Sequence, residues 1–527
     1  MKTYHLLSLE NVAADEWPIA VSLQGLVNRE SHNIYLLPSS KGMEKHWVEW
    51  YKQYGYEPVE TNLDELLGKY VDLLKGYIVF DPSVPDTINV AASLAGVMDA
   101  LICPPSVADR INSLGLKCLL DMRGRFEGRV EPYHWLVNEH LKDFDLRVMA
   151  NYDQKETAAV QPDMDYLIAH RGFCMGLSIN AADFPEEAAV WEQVQTAAPS
   201  HAMMLGWHTP RDSEATHVYF ASRHSVWVYC GYARNTSFHQ HIKASAEYSQ
   251  DHCHSAECDP NGKYAAITLS DGDSWHSMCD VQKKFWLHPR RGEVPLGWEV
   301  APIFEKVGPA VLEYYFKTKS DNDYIVSGPS GIAYNYPSGF ADLPGYLKIS
   351  ADAMKKTSLK SIWAINRIVR HLPGRKIEHK LKNETVVYTR EQMEEFGGPK
   401  DQKGADFVDD EVIAKYMEAM PDALGFFQGW ERIPGEEPHW CDGRLWSPGS
   451  ALVRKDVDGA IREFEESAAR QSGPVFVCAH VNCYDADMDA IIETVRRLED
   501  KGFTVVRPDV YLRLAQDAYA RGLVGKH

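Results

Sequence analysis

The sequence predicts an α/β protein, with N-terminal α/β layers followed by a C-terminal barrel-like domain of seven or eight β/α units. Short apolar runs recur along the chain and alternate with segments of helical periodicity, which is the pattern of parallel α/β architecture. The length of 527 residues exceeds what one hydrophobic core supports. We therefore predict three parts, comprising residues 1–150, 151–259 and 260–527.

Composition narrows the range of partners. The net charge of −20 argues against a nucleic-acid partner or an anionic membrane surface, because both require a basic face on the protein. No apolar run is long enough to cross a bilayer, and acidic residues together with Trp17-Pro18 interrupt any signal-peptide core. The ten cysteines are scattered in apolar contexts, which indicates free thiols in the cytoplasm. The oligomeric state stays open.

Residues 1–150 are predicted to be a supporting domain. Strands and helices are expected, in chain order, at Ile19–Asn28 (helix), Asn33–Pro38 (strand), Gly76–Asp81 (strand), Asp86–Asp99 (helix) and Ala100–Pro104 (strand). No Gly-x-Gly-x-x-Gly sequence follows any of these strands, so a dinucleotide site is not indicated. We predict no cofactor.

Residues 151–259 continue the α/β pattern with weaker signals. Strands are predicted at Tyr166–Ala169, Ala202–Gly206 and Ser225–Cys230. His239-x-His241 and the group from His252 to Cys258 contain residue types that bind metals. Structural zinc usually requires two separated ligand pairs, whereas this is one crowded cluster. We interpret it as a polar linker and predict no metal site.

The alternation becomes regular from about Pro260. The predicted strands are Tyr264–Ser270, Gly297–Ala301, Tyr324–Ser327, Ser361–Asn366, Leu424–Phe427, Pro474–Val481 and Thr504–Arg507. The predicted helices are Pro309–Thr318, Leu343–Thr357, Asp409–Met420, Asp456–Ser472, Asp485–Lys501 and Pro508–Gly522. Strands that are each followed by a helix fit a β/α barrel. Leu445–Val453 is a candidate eighth strand.

The stretch from Lys263 to Pro337 contains the densest group of motifs. These are SDGDS at residues 270–274, RGEVPLGWEVAP at 291–302 and SGPSGIAYNYP at 327–337. Together with SLQGLVNRESHNIYLL at 22–37, they resemble the GxGYxYP family, with Ala333 in place of the second glycine of the family motif. The resemblance implies glycoside hydrolysis as the activity and a carbohydrate as the substrate.

Glycoside hydrolysis usually requires two carboxyl groups, one that protonates the departing oxygen and one that acts as nucleophile or activates water. In parallel barrels, functional groups lie where strands end. The carboxylates at predicted strand ends are Asp271, Asp273, Glu299 and Glu431. The leading pair is Asp273 with either Glu299 or Glu431. The structural alternatives are a local turn at Asp271-Gly272-Asp273 and a salt bridge from Glu299 to Arg290 or Arg291.

Aromatic and polar residues near the same strand ends are predicted to bind the sugar. Aromatic rings stack on the apolar face of a sugar, while polar groups hydrogen-bond its hydroxyls. The candidates are Trp275, His276, Trp298, Tyr334, Asn335, Tyr336, Trp430, Arg432, His480 and Asn482. The alternative for the two tyrosines is that they fill the interior of their loop, and the alternative for His480 is a buried structural role.

Three other functions are weighed against the residues. Gly328-Pro329-Ser330-Gly331 lacks the final glycine and the following helix of a serine-hydrolase elbow, so that chemistry is rejected. A metal-dependent deacetylase-like site would use Asp271 or Asp273 with histidines; the expected close histidine pair is missing, which leaves a site completed by His276 and His480 as the open alternative. A non-catalytic carbohydrate-binding protein on the same scaffold remains an alternative. The stereochemical outcome depends on the separation of the carboxylates.

Overall fold

The computed structural model describes residues 2–40, 43–155, 158–161, 163–181, 183–207, 209–212, 214–230, 234–366, 408, 410–430 and 438–525. They form two compact units, the first built mainly from the chain up to Ser245 and the second mainly from Ala246 onward. Among the helices in these ranges, none is long and apolar enough to cross a membrane.

The first unit contains three parallel sheets. Their strands are β1 (Lys2–Ser8), β2 (Ile34–Leu37), β3 (Tyr56–Thr61), β4 (Gly76–Val79), β5 (Ala100–Cys103), β6 (Cys118–Asp121), β7 (Val148–Asn151), β8 (Phe173–Met175), β9 (Met203–Gly206) and β10 (Trp227–Cys230). The strand orders are β2-β1-β3, β5-β4-β6 and β10-β9-β7-β8. These sheets confirm the predicted N-terminal α/β layers.

Helices cover these sheets. Their bounds are Trp17–Val27, Glu44–Lys52, Leu63–Tyr70, Thr87–Met98, Ala108–Ser113, Glu131–His140, Met164–Ala169, Pro185–Ala197, Glu214–Arg223 and Thr236–His239. The strand predicted at Tyr166–Ala169 is wrong, because these residues lie in a helix. All six residues of this helix are buried. A short segment without a polar face gives no helical period, so its sequence resembles a buried strand.

The second unit is a closed barrel of seven parallel strands, which confirms the predicted C-terminal architecture. The strands are β11 (Lys263–Leu269), β12 (Leu296–Val300), β13 (Asp323–Ser327), β14 (Ser361–Ala364), β15 (Gly425–Gln428), β17 (Arg444–Val453) and β18 (Val475–Val481). They pair in that order, and β11 closes the ring by pairing with both β18 and β12. A short strand, β16 (His439–Cys441), pairs antiparallel with β17.

The barrel membership of two segments differs from the prediction. The candidate eighth strand is β17 and belongs to the ring, whereas the predicted last strand, observed as β19 (Phe503–Val505), lies outside it. One edge of β11 is occupied along its length by β18. On the other edge, β12 pairs at Thr268 and Leu269, and β19 pairs at residues 263–265. Strand β19 therefore fills the gap where β12 diverges from β11.

Helices follow the barrel strands. Their bounds are Ser277–Val281 (π-helix), Gln282–Trp286, Phe304–Val307, Pro309–Thr318, Leu343–Lys356, Asp410–Ala419, Val457–Ala468, Met488–Asp500 and Pro508–Ala520. The last helix closes the barrel at the amino ends of the strands. Its Tyr511 ring packs on Phe427 and Phe476 at centroid distances of 5.9 and 5.5 Å. The amino end of the barrel is therefore filled by side chains of this helix.

Candidate active site

A glutamate and a histidine meet inside the carboxyl end of the barrel. Glu299 lies on β12 and His480 lies on β18, and His480 Nε2 is 2.7 Å from Glu299 Oε1. Strand alternation turns every second side chain inward, which brings residues 181 positions apart in the sequence into contact. Both side chains are buried, at 0 and 1 % exposure. The pair is enclosed and shares a short hydrogen bond.

Aromatic rings fix the plane of the His480 imidazole. The Trp363 ring on β14 stacks on it at a centroid distance of 4.0 Å and an angle of 6°. Phe427 also stacks on Trp363, at 5.1 Å, and the Trp363 indole N–H donates to the Gly429 carbonyl at 2.6 Å. The Trp430 ring contacts the imidazole edge-on at 5.6 Å. The stack leaves His480 Nε2 directed at Glu299.

The surroundings of the Glu299 carboxyl favour its neutral form. Burial raises the pKa of Glu299 well above its ordinary value, and the backbone amides of Gly272 and Asp271 oppose this only in part. A Cβ on Gly328 would lie 3.1 Å from the Glu299 carboxyl carbon, so glycine at this position leaves the space that the carboxyl occupies. A buried carboxyl with a raised pKa is the form that a proton donor requires.

Asp271 follows β11 at the rim of the barrel. Its backbone has a φ of 66°, in the left-handed region, and its side chain is half-buried. The Cys483 thiol, just after β18, donates to Asp271 Oδ2 at 3.0 Å. The Tyr484 hydroxyl lies beside both Asp271 and Asp273, and its pKa is raised by burial of the hydroxyl and by the nearby charge of Asp271. The turn after β18 therefore contacts the Asp271 carboxylate.

Three further candidates, Asp273, Trp275 and His276, lie at the beginning of the helical segment after β11. Asp273 is 6 % exposed. Trp275 is buried and stacks on Phe304 at 5.5 Å and 21°, so its ring faces protein. His276 is half-buried and precedes the π-helix Ser277–Val281. Asp273 lies two positions after Asp271 in the same segment, and its charge contributes to the raised pKa of Tyr484.

The predicted residues of β12 separate onto two faces. Glu299 faces the barrel interior, whereas Trp298 packs on Trp286 at 4.7 Å and donates to Asp323 at 2.8 Å. Trp298 therefore lies between the barrel and its helices, away from Glu299. The alternative salt bridge is not formed, because Arg290 pairs with Glu293 and Asp489, and Arg291 pairs with Asp323.

The loop after β13 is packed inside the protein. Tyr334 and Tyr336 are 4 and 0 % exposed, and their hydroxyls lie 3.3 Å apart. Asn335 is fully buried, and its amide donates to the Ala333 carbonyl at 3.2 Å. The Ser330 hydroxyl donates to the carbonyls of Asn335 and Ile365 at 3.0 and 2.9 Å. This loop braces the wall of the site with its own side chains.

The remaining predicted residues lie on later loops. Asn482 accepts the backbone N–H of Tyr484 at 3.0 Å, which shapes the turn after β18. Trp430 contacts His480, as described above. Glu431 and Arg432 lie outside the described residues, so the second leading pair has no geometry here.

Three residues of the site were missed by the sequence prediction: Trp363, Cys483 and Tyr484. The signal for Cys483 and Tyr484 was their position directly after a strand, next to Asn482. Trp363 gave no signal beyond an apolar strand, because its role depends on the register of β14 against its neighbours.

The donors around the site do not assemble a metal centre in the part of the chain that the structure describes. In those ranges no group of three or more His, Cys, Asp or Glu side chains is arranged to hold a metal ion. The cluster from His252 to Cys258 is engaged elsewhere: His252 Nδ1 lies 2.9 Å from the Tyr324 hydroxyl, and the Cys253 N–H donates to Asp509 at 2.7 Å.

Fold and site together define a multidomain α/β protein with acidic groups at the carboxyl end of a parallel barrel. The C-terminal model of the GxGYxYP family, described as "GxGYxYP putative glycoside hydrolase C-terminal domain", matches residues 261–516. Models of the first, second and third N-terminal domains match residues 4–72, 74–144 and 152–241. The chain belongs to the GxGYxYP family.

A solved structure shares this fold. It is titled "Crystal structure of a putative hydrolase from Bacteroides thetaiotaomicron VPI-5482 at 1.25 A resolution" and aligns with a TM-score of 0.75 at 22 % identity. The alignment covers 98 % of this chain and 95 % of that chain. Comparison with curated proteins found no match. Hydrolase is the class that the family description and this title have in common.

Proposed function

We propose that the protein hydrolyses O-glycosidic bonds of a carbohydrate at the carboxyl end of its barrel. The bond between the anomeric carbon and the leaving oxygen breaks, and a proton passes to that oxygen. The hydroxyl of a water molecule is added to the anomeric carbon, and the remaining proton of this water returns to the enzyme. The proposal assigns the proton transfers to Glu299 with His480, and the second carboxylate to Asp271 or Asp273.

The observation that carries the proposal is the buried pair of Glu299 and His480. Burial raises the pKa of Glu299 well above its ordinary value, which favours the protonated carboxyl that can donate to a departing oxygen. His480 Nε2 lies 2.7 Å from Glu299 Oε1, so the proton can also be held by the imidazole. If Glu299 and His480 had only a structural role, no further carboxylates would be expected next to them. Asp271 and Asp273 follow the neighbouring strand β11 at the rim of the barrel.

Asp271 supports the second role. The thiol of Cys483 orients its carboxylate, and its side chain is only partly buried, so a substrate at the rim would reach it. Asp273 is the alternative for the same role, since both follow β11 and lie near Tyr484. Two carboxyl groups in different environments, one neutral and one ionised, are the usual requirement for glycoside hydrolysis.

The test is a hydrolysis screen with aryl glycosides and natural glycans, measured as released phenol or reducing ends. Wild type is compared with Glu299→Gln, Asp271→Asn and Asp273→Asn. We expect wild type to cleave at least one substrate and Glu299→Gln to lose roughly 100-fold or more in kcat. One of the two aspartate variants is expected to lose a similar factor.

Glu293→Gln is the matched control, because Glu293 is 39 % exposed and paired with Arg290 at the surface. It should keep the wild-type rate. Full activity in Glu299→Gln and in both aspartate variants would show that the site is wrongly assigned. Binding of glycans without turnover in wild type would favour a carbohydrate-binding protein, and loss of activity on chelation would favour the metal-dependent alternative.

We also propose the cytoplasm as the compartment. The nine cysteines whose side chains are described are free thiols, and thiols of this kind persist in a reducing environment.

A further inference from the structure

Tyr484 occupies an unusual position at the mouth of the barrel. Its side chain is 63 % exposed, and it is the only aromatic residue among the exposed large apolar side chains in the described ranges. The other members of that set are aliphatic residues, namely Val59, Leu73, Leu114, Leu119 and Leu287. The largest fully buried side chains of this chain are aromatic, whereas Tyr484 is exposed directly beside Cys483, which contacts Asp271.

The turn after β18 fixes the Tyr484 backbone. Its N–H donates to Asn482 Oδ1 at 3.0 Å, and the preceding Cys483 is anchored to Asp271 at 3.0 Å. The Tyr484 side chain is therefore 63 % exposed on a fixed turn, next to the residue that anchors the Asp271 carboxylate. An exposed aromatic ring on a fixed turn is arranged to accept a flat apolar partner.

We propose that Tyr484 stacks on an uncharged sugar ring and holds it over Asp271 and Asp273. This inference rests on the proposed function in that it concerns the same site. The face of a pyranose carries several C–H groups, which pack on the ring of a tyrosine. The two neighbouring carboxylates repel a sugar that carries a carboxylate or sulfate, so the occupant is neutral.

The two parts of the side chain therefore have separable effects. Tyr484→Phe keeps the ring and should leave the Kd or KM for a neutral glycan within about threefold of wild type. Tyr484→Ala removes the ring and should raise Kd or KM about tenfold. Because the side chain is largely exposed, neither variant should alter Tm appreciably.

The experiment is a glycan array of neutral, uronic-acid and sulfated oligosaccharides, followed by calorimetric titration of bound members and kinetics on any that are cleaved. Wild type, Tyr484→Phe and Tyr484→Ala are compared. Leu287→Ala is the matched control, because it removes an apolar side chain that is 52 % exposed at the end of helix Gln282–Trp286.

Selective loss of neutral-glycan binding in Tyr484→Ala, with binding kept in Tyr484→Phe and Leu287→Ala, supports the inference. If this loss occurs in a protein that cleaves nothing, the inference holds and the proposed hydrolysis fails. Unchanged binding in Tyr484→Ala, or binding of anionic glycans alone, overturns the inference and leaves hydrolysis standing where turnover is seen. Binding of no glycan by wild type overturns the inference, and hydrolysis fails too if no substrate is cleaved.

Discussion

At the scale of single residues, the environment of Glu299 determines its protonation. The ordinary pKa of a glutamate carboxyl is 4.5, and burial raises the pKa of Glu299 well above this value. The folded protein therefore holds this proton more tightly than the unfolded chain does. The stabilising effect of this proton is complete below about pH 4.5 and is lost as the pH rises toward the folded-state pKa.

Glutamine at position 299 cannot ionise, so its effect on stability has no such pH dependence. We expect the stability of Glu299→Gln relative to wild type to increase as the pH rises from about 4.5 to about 8. Urea unfolding midpoints of both proteins across this range measure the difference. Glu293→Gln is the control, since this exposed carboxyl has a lowered pKa. A stability difference between wild type and Glu299→Gln that is constant with pH would contradict the explanation.

At the scale of elements, strands were predictable because each barrel strand is an apolar run between polar loops. All five residues of β12 are buried, however, so its hydrophobic pattern does not reveal which side chains face the interior. Trp298 and Glu299 were therefore both site candidates, and only the pairing register separates them. The contact of Glu299 with His480 depends on ring closure, which local patterns do not encode.

The site also depends on the stacking of three rings from neighbouring parts of the barrel, namely Trp363 on β14, Phe427 on β15 and His480 on β18. Trp363→Leu removes the ring that stacks on His480 at 4.0 Å, which leaves the imidazole free to rotate away from Glu299. We expect a stability loss of roughly 3 kcal/mol from the lost packing. We also expect the histidine Nε2 resonance of His480 in ¹⁵N spectra to shift, together with the pH profile of any activity.

Trp298→Leu is the control for this prediction. Trp298 is equally buried on a barrel strand but faces the helix layer. It should cost similar stability without moving the His480 resonance or the pH profile. An unchanged His480 resonance in Trp363→Leu would show that the stack has only a structural role.

At the scale of the whole molecule, the first and last segments of the second unit contact each other at the amino end of the barrel, opposite the site. The connecting segment, residues 246–260, lies against the barrel, where the Gln250 amide exchanges hydrogen bonds with the backbone of Ile325 at 3.0 and 2.9 Å. The Cys253 N–H donates to Asp509 in the last helix at 2.7 Å. The helix that closes the amino end of the barrel is therefore held by a segment about 250 positions earlier in the chain.

Asp509 is the key contact in this closure, because its carboxylate is fully buried and also pairs with Arg507 at 2.8 Å. Asp509→Asn keeps the shape and removes the charge, leaving the partly buried Arg507 guanidinium without its anionic partner. We expect a loss of roughly 3 kcal/mol in unfolding free energy.

Asp517→Asn on the same helix is the control. Asp517 also accepts an N–H of the connecting segment, from Cys258 at 2.8 Å, but its side chain is 28 % exposed. It should cost less than about 1 kcal/mol. Because both contacts lie away from the mouth, KM for any substrate should change in neither variant. Equal stability losses would show that burial of Asp509 does not govern the closure, and a KM change in Asp509→Asn would show that the amino end of the barrel is coupled to the site.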